Sequence, residues 1–155
     1  MKMTAGDGCN VLIGYEDGSV ALWDCRQYKR PLSRLKIHPD PVMCINYETV
    51  TGTGFSGSAG EEICSWTTNK DILTLKDTVT VTNPGFNDCC VRKDGKLVVF
   101  AGWDGHVRLF SVKKMKPLAV LAYHKDSVYC ATFSDDKLLA CGSKDEQISL
   151  WDVYR

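Results

Sequence analysis

The chain has 155 residues, 44% of them apolar, and 19 basic side chains offset 19 acidic ones, so the formal net charge is zero. That length suffices for one domain with its own core, and the charge balance supplies no field for nucleic acid or an anionic membrane surface. Apolar runs such as residues 97–101 are far too short to span a bilayer, and the opening MKMTAGDGCN lacks the apolar segment of a secretory signal. Eight cysteines are scattered with no CxxC pair, as small buried strand residues would be in a reducing compartment. Cytosol or nucleus is therefore expected.

In chain order, residues 10–15 alternate weakly and run into a turn at Glu16, Asp17 and Gly18. Residues 19–25 form the next strand, with Val20 and Leu22 on one face and Ala21 and Trp23 on the other. Residues 27–31 make a polar hairpin, and Leu32, Leu35 and Ile37 belong to an outer strand. This first unit has three strands, and its innermost strand would lie before Met1. A second unit follows the loop His38-Pro39-Asp40-Pro41, with strands near 42–48, 53–58, 62–67 and 71–76. Residues 78–85 (TVTVTNPG) read as the longest connection. Strands near 86–92, 96–101, 106–112 and 117–122 make the third unit, in which the KKMK run at 113–116 is a solvated hairpin turn rather than a basic patch. The fourth unit has strands near 127–133, 137–142 and 147–153, with no fourth strand after them.

These units are copies of one pattern. Trp23, Trp66, Phe110 and Trp151 recur at intervals of 43, 44 and 41 residues. Three residues before each stands Val20, Ile63, Val107 or Ile148, and six before stands Asp17, Gly60, Asp104 or Asp145. Strand, tight turn, strand and aromatic at this period are the signature of a β-propeller blade in an all-β fold. Apolar residues on both strand faces agree, because neighbouring blades pack on both sides of each sheet.

GYEDGSVALWD at 14–24 and GSKDEQISLWD at 142–152 resemble WD-repeat (WD40) units, and the resemblance covers nearly the whole chain. The longer wording, with GSAG at 57–60, AGWDGHVRLF, PLAVLAYH at 117–124 and GSKDEQISLWDVY, is similar to the G-protein beta-subunit-like members of that family. The resemblance implies a WD40 β-propeller with units at about 10–37, 38–76, 83–122 and 124–153, and a parent ring of seven blades. Rings of this kind commonly close by sharing one blade between the chain ends, which leaves no open sheet edge. A missing inner strand at one end and a missing outer strand at the other cannot complete each other within one blade. The chain is thus expected to form the C-terminal, four-blade portion of a longer ring.

The resemblance also implies a buried side-chain relay in each blade: a His before the blade, a hydroxyl on the second strand, an Asp in the next turn and a Trp on the third strand. Indole only donates, a hydroxyl accepts and donates, and imidazole passes the direction on to a carboxylate. Carried over, the relay residues are Asp17 and Trp23 in the first unit, His38, Ser56 and Trp66 in the second, Asp104 in the third, and His124, Asp145 and Trp151 in the fourth. Each set is incomplete. Ile13 and Cys141 stand at hydroxyl positions, Gly60 at an Asp position and Phe110 at a Trp position, so packing is expected to hold the blades more than polar networks do.

No catalytic residue, cofactor or metal is expected. His38 and His124 belong to the relay, and His106 opens a strand. A Cys–His nucleophile built from Cys130 or Cys141 with His124 is disfavoured, since both cysteines sit in strand patterns that recur elsewhere without a His. No ligand spacing suggests zinc, and no Gly-rich loop has the strand–helix context that cradles phosphate. What remains is a non-catalytic scaffold for protein–protein interaction, without nucleic acid, membrane or small-molecule substrate. The resemblance extends this to an adaptor in cytosol and nucleus, linked to co-chaperones that mature phosphatidylinositol 3-kinase-related kinases; the alternative is a G-protein beta-subunit-like signalling component. Binding residues are expected where incoming loops and second-to-third-strand turns gather: Glu16, Pro39, Asp40, Trp103, Lys125, Asp126 and Lys144. Trp103 belongs to this set because Asp104 occupies the turn position, which leaves the indole in a loop as an aromatic anchor.

Overall fold

The computed structural model of the chain describes residues 2–3 and 9–153, and all regular structure among them is β-strand. The first sheet contains β1 (Lys2–Met3), β2 (Asn10–Gly14), β3 (Ser19–Asp24) and β4 (Ser33–Lys36). The second contains β5 (Val42–Glu48), β6 (Thr53–Ser58), β7 (Glu62–Asn69) and β8 (Ile72–Thr80). The third contains β9 (Phe86–Val91), β10 (Leu97–Gly102), β11 (His106–Ser111) and β12 (Pro117–Ala122). The last has β13 (Val128–Phe133), β14 (Leu138–Ser143) and β15 (Ile148–Asp152). In each sheet the strands pair in sequence order and antiparallel, the meander expected of propeller blades.

Three apolar clusters fill the spaces between successive sheets. Leu12, Val20 and Leu22 of the first meet Cys64, Trp66 and Leu73 of the second. Phe55 and Ile63 of the second meet Phe86, Phe100 and Phe110 of the third. Val99, Val107 and Leu109 of the third meet Val128, Leu139 and Cys141 of the fourth. This two-sided burial explains why all six residues of β6 and of β10 are buried. It ends at the last sheet. Ile148 and Leu150 are 76% and 70% exposed, whereas Val20, Ile63, Val107 and Leu22, Ser65, Leu109 at the same repeat positions are at most 2% exposed.

Two strand expectations need correction. The first sheet has a fourth strand: Lys2 and Met3 pair with Leu12 and Val11, in the place predicted to lie before Met1. Two residues carry no periodicity to read, yet they satisfy backbone groups of β2 that would otherwise be unpaired. Residues 78–80 belong to a strand and not to the expected connection: β8 continues through Thr80, pairing Val79 with Ile63 and Thr80 with Glu62 after a register shift between Ser65 and Trp66. Among the described residues the last sheet has three strands, as expected.

Second-to-third-strand turns and incoming loops lie side by side. Gly18 and Gly105 occupy left-handed backbone (φ +84° and +79°), and a Cβ there would stand 2.1 Å from the His38 carbonyl oxygen or 2.6 Å from that of His124. Only glycine meets both demands. The equivalent of these residues in the last sheet is Glu146, at φ 65°.

Candidate protein-interaction face

The relay forms in full only in the last sheet, and with a substitution the sequence did not suggest. Trp151 Nε1 donates to Ser149 Oγ at 2.8 Å, and Ser149 Oγ lies 2.8 Å from His124 Nε2. His124 Nδ1 stands 3.1 and 3.2 Å from the two oxygens of Asp145. A carboxylate can only accept, so Nδ1 carries the proton and Nε2 accepts from the serine hydroxyl. The hydroxyl does not come from the second strand, where Cys141 stands, but from its cross-strand partner Ser149. Burial alone would raise the Asp145 pKa, but hydrogen bonds from the Lys125 N–H, His124 and the Gln147 N–H outweigh it and hold it at about 2.

In the second sheet the same rung is reversed: Ser56 lies on the second strand, opposite Cys64 on the third. His38 Nε2 is 2.8 Å from Ser56 Oγ, and its Nδ1 faces Cys64 Sγ at 3.7 Å. Trp66, expected to join this chain, does not. Its Nε1 is buried with no hydrogen-bond partner among the described residues, because the ring is committed to packing over Gly54 and stacking on Tyr47. The space above Gly60, where the relay's Asp is missing, holds the Asp40 carboxylate.

The other two sheets use arginine. Arg108 grips Asp104 with both terminal nitrogens (3.0 and 2.6 Å), and Asn83 and the His106 N–H add to the same carboxylate. Despite its burial, this keeps the Asp104 carboxyl well below the usual carboxylate range. Phe110 packs edge-on against Phe100 instead of donating a hydrogen bond. In the first sheet, Asp17 accepts from Ser19 Oγ and from Arg34 Nη2 at 2.8 Å, while Trp23 donates to Tyr15 Oη at 2.9 Å. Asp17 and Trp23 thus have different hydrogen-bond partners, linked through Arg34, whose guanidinium lies 4.6 Å over the Tyr15 ring. Sequence reasoning missed Ser149, Arg108, Arg34 and Tyr15. The first two carry a signal, since Ala21, Cys64, Arg108 and Ser149 all stand two residues before the repeat aromatic.

The proposed binding residues follow one edge of the stacked sheets. The turn at Gly18 abuts the loop of His38, Pro39 and Asp40, and Asp40 covers Gly60. The Gly60 carbonyl accepts from the Gly85 N–H at 2.9 Å, and Trp103 lies flat on Gly85. The turn at Gly105 abuts the backbone of His124 and Asp126, and Asp126 pairs with Lys144 at 3.3 Å. Glu16, Pro39 and Asp40 therefore form one exposed group on the first two sheets, and Trp103, Lys125 and Lys144, with the half-buried Asp126, a second on the last two. Trp103 is 40% exposed, with its Nε1 tied to Asn87 Oδ1 at 2.8 Å. The indole is held in one orientation with part of its surface bare.

No activated thiol accompanies the histidines of this edge. Burial pushes the Cys64 and Cys141 thiols up to about 11, and both ring nitrogens of His124 are engaged. His38, Glu62 and Cys64 bring three potential metal-ligating atoms within 4.8 Å of one another.

The WD domain, G-beta repeat family matches residues 70–111 and 115–152, just over half the chain. Each match begins at an outer strand and runs through the first three strands of the next sheet, so a sequence repeat straddles two blades and ties them together. Guanine nucleotide-binding protein subunit beta-like protein 1 of Mus musculus is 44% identical over 93% of this chain and 44% of its own length. ASTRA-associated protein 1 of Schizosaccharomyces japonicus is 37% identical over 93% of the chain and 44% of its own length. The Schizosaccharomyces pombe protein of that name is 30% identical over 99% and 47%. The chain spans less than half the length of these relatives. With four antiparallel blades, the repeat period and the family match in agreement, the chain belongs to the WD40, or G-beta repeat, family.

Proposed function

We propose that the chain serves in a non-catalytic WD-repeat adaptor that docks other proteins along the loop edge bearing Glu16, Pro39, Asp40, Trp103, Lys125, Asp126 and Lys144. The observation that carries this reading is Trp103: an indole pinned to Asn87 and Gly85, partly bare, amid exposed charges of both signs. A pre-ordered aromatic loses little entropy on binding, and interface hot spots are enriched in such residues. Mixed charge suits a protein surface better than a phosphate backbone. Relatives named ASTRA-associated protein 1 support association with a larger assembly. Within that role we place the adaptor in the cytosol and nucleus, with the co-chaperones that mature phosphatidylinositol 3-kinase-related kinases.

The test is affinity capture with the purified protein, comparing wild type with Trp103→Ala combined with Glu16→Lys and Lys144→Glu. Loss of a central aromatic costs about 2 kcal/mol, roughly 30-fold in Kd, so co-purifying proteins should be depleted while the fold is retained. An unchanged set of captured proteins overturns the placement.

A further inference from the structure

We propose that His38, Cys64 and Glu62 form a binding site for a divalent transition metal of the zinc type, set between the loop before β5 and the start of β7. Zinc takes thiolate sulfur at about 2.3 Å and imidazole nitrogen at about 2.0–2.1 Å, so two such ligands on a tetrahedral ion stand roughly 3.5–3.6 Å apart. His38 Nδ1 and Cys64 Sγ are 3.7 Å apart. A Glu62 oxygen lies within 4.8 Å of both. Glu62 is half-exposed at the first position of its strand, so rotation about its side-chain bonds can close the remaining gap.

The surroundings favour this use of the imidazole. His38 Nε2 is held by Ser56 Oγ at 2.8 Å. With Nε2 donating to that hydroxyl, the Nδ1 lone pair points at the sulfur, the outer-shell arrangement that orients metal-binding histidines. The contrast with His124 is informative. That ring spends its Nδ1 proton on Asp145, whereas the second sheet has Gly60 at the Asp position and offers Nδ1 a thiol instead. Trp66 Nε1, left without a partner, shows that the relay is not rebuilt here. Access is from the outer strand, where the exposed Thr78 brings its Oγ1 to 3.5 Å from Cys64 Sγ. Water entering on that side supplies the fourth ligand. On binding, Cys64 releases its thiol proton to solvent and the sulfur lone pair forms the bond to the metal. An N/S/O set of this kind selects zinc over magnesium or calcium.

The experiment is titration of the reduced, metal-free purified protein with cobalt(II), followed by displacement with zinc(II). Expected are one ion per chain and a sulfur-to-cobalt charge-transfer band, lost in Cys64→Ser and retained when the exposed Cys25 and Cys130 are changed to serine. Ser56→Ala, which removes only the outer-shell partner, should weaken binding about 10–100-fold. Glu62→Gln lies on the half-exposed rim and preserves the fold even if Cys64→Ser does not, and it should weaken binding at least about 10-fold. No charge-transfer band in folded protein, or a band of unchanged affinity in Glu62→Gln, overturns the proposal.

Discussion

Ser149→Ala is the sharpest probe of how these blades are held. The hydroxyl accepts from Trp151 Nε1 and bonds His124 Nε2, each at 2.8 Å, and its residue is buried. Alanine leaves two ring nitrogens without partners in a water-poor site. One buried polar atom stripped of its partner costs about 1–3 kcal/mol, and half-buried Trp151 can recover part of its share from solvent. We expect a loss of about 2–3 kcal/mol, which at about 2–4 °C per kcal/mol for a chain of this size lowers Tm by roughly 4–12 °C. The second sheet supplies the rescue. There the hydroxyl sits on the other side of the same rung, at Ser56, and reaches His38 Nε2 at 2.8 Å while Trp66 Nε1 stays unpaired. Adding Cys141→Ser to Ser149→Ala should therefore restore the His124 bond but not the Trp151 bond, recovering about half the loss. Urea unfolding of wild type, both single variants and the double variant gives the coupling energy directly. A Ser149→Ala loss below about 0.5 kcal/mol, or no coupling to position 141, would refute this account.

Two further outcomes follow from burial. His38 is held neutral, its pKa brought down from 6.5 to about 4 by burial against a weaker opposing pull from Asp40. The unfolded chain takes up this proton as pH falls below 6.5 and the folded chain does not until about 4, so the contribution is complete above 6.5 and is lost through that window, by no more than about 1.4 kcal/mol per pH unit. Chelator-treated His38→Gln should show a flatter urea midpoint between pH 6.5 and 4 than wild type, and equal slopes would contradict the assignment. The bare face of the last sheet should make the isolated 155-residue chain self-associate, since each Ile or Leu covered contributes about 1.5–3 kcal/mol. Ile148→Lys with Leu150→Glu should then yield monomer in sedimentation, whereas a monomeric wild-type chain would show that the face is not adhesive.

The aromatic register located all four third strands, because a Trp or Phe every 41–44 residues is a long-range signal that survives local noise. The Asp turn position was equally legible, and with it the loop placement of Trp103. β1 was not, for two residues have no period. The outer end of β8 was missed because its alternation is of threonines and valines on a half-exposed edge, where a strand and a polar connection look alike. The relay's hydroxyl in the last sheet was misplaced for a geometric reason. It was sought at one position on the second strand, whereas directly opposed residues on adjacent strands place their Cβ atoms only about 4.5–5.5 Å apart. A hydroxyl can therefore reach the imidazole from either side of the rung, as Ser56 and Ser149 do.

That freedom explains how four blades tolerate four different polar sets. An apolar cluster fills each space between successive sheets, whether the neighbouring rung carries Ala21, Cys64, Arg108 or Ser149. The rung thus packs between sheets where it carries a thiol, at Cys64 and Cys141, and through its polar atoms it also bears on the loop edge. Asp145 takes the Lys125 N–H, Asp104 is locked by Arg108 beside Trp103, and Asp17 is locked by Arg34 beside Glu16. In these three sheets a charged or hydrogen-bonded carboxylate in the turn fixes the backbone next to a proposed contact residue. The second sheet has Gly60 at that turn position, covered by Asp40 from the incoming loop, with the Cys64 thiol, the His38 imidazole and the half-exposed Glu62 nearby. If a metal ion binds there, all four turns are anchored by charge, and the surface they present is equally ordered from one end of the stack to the other.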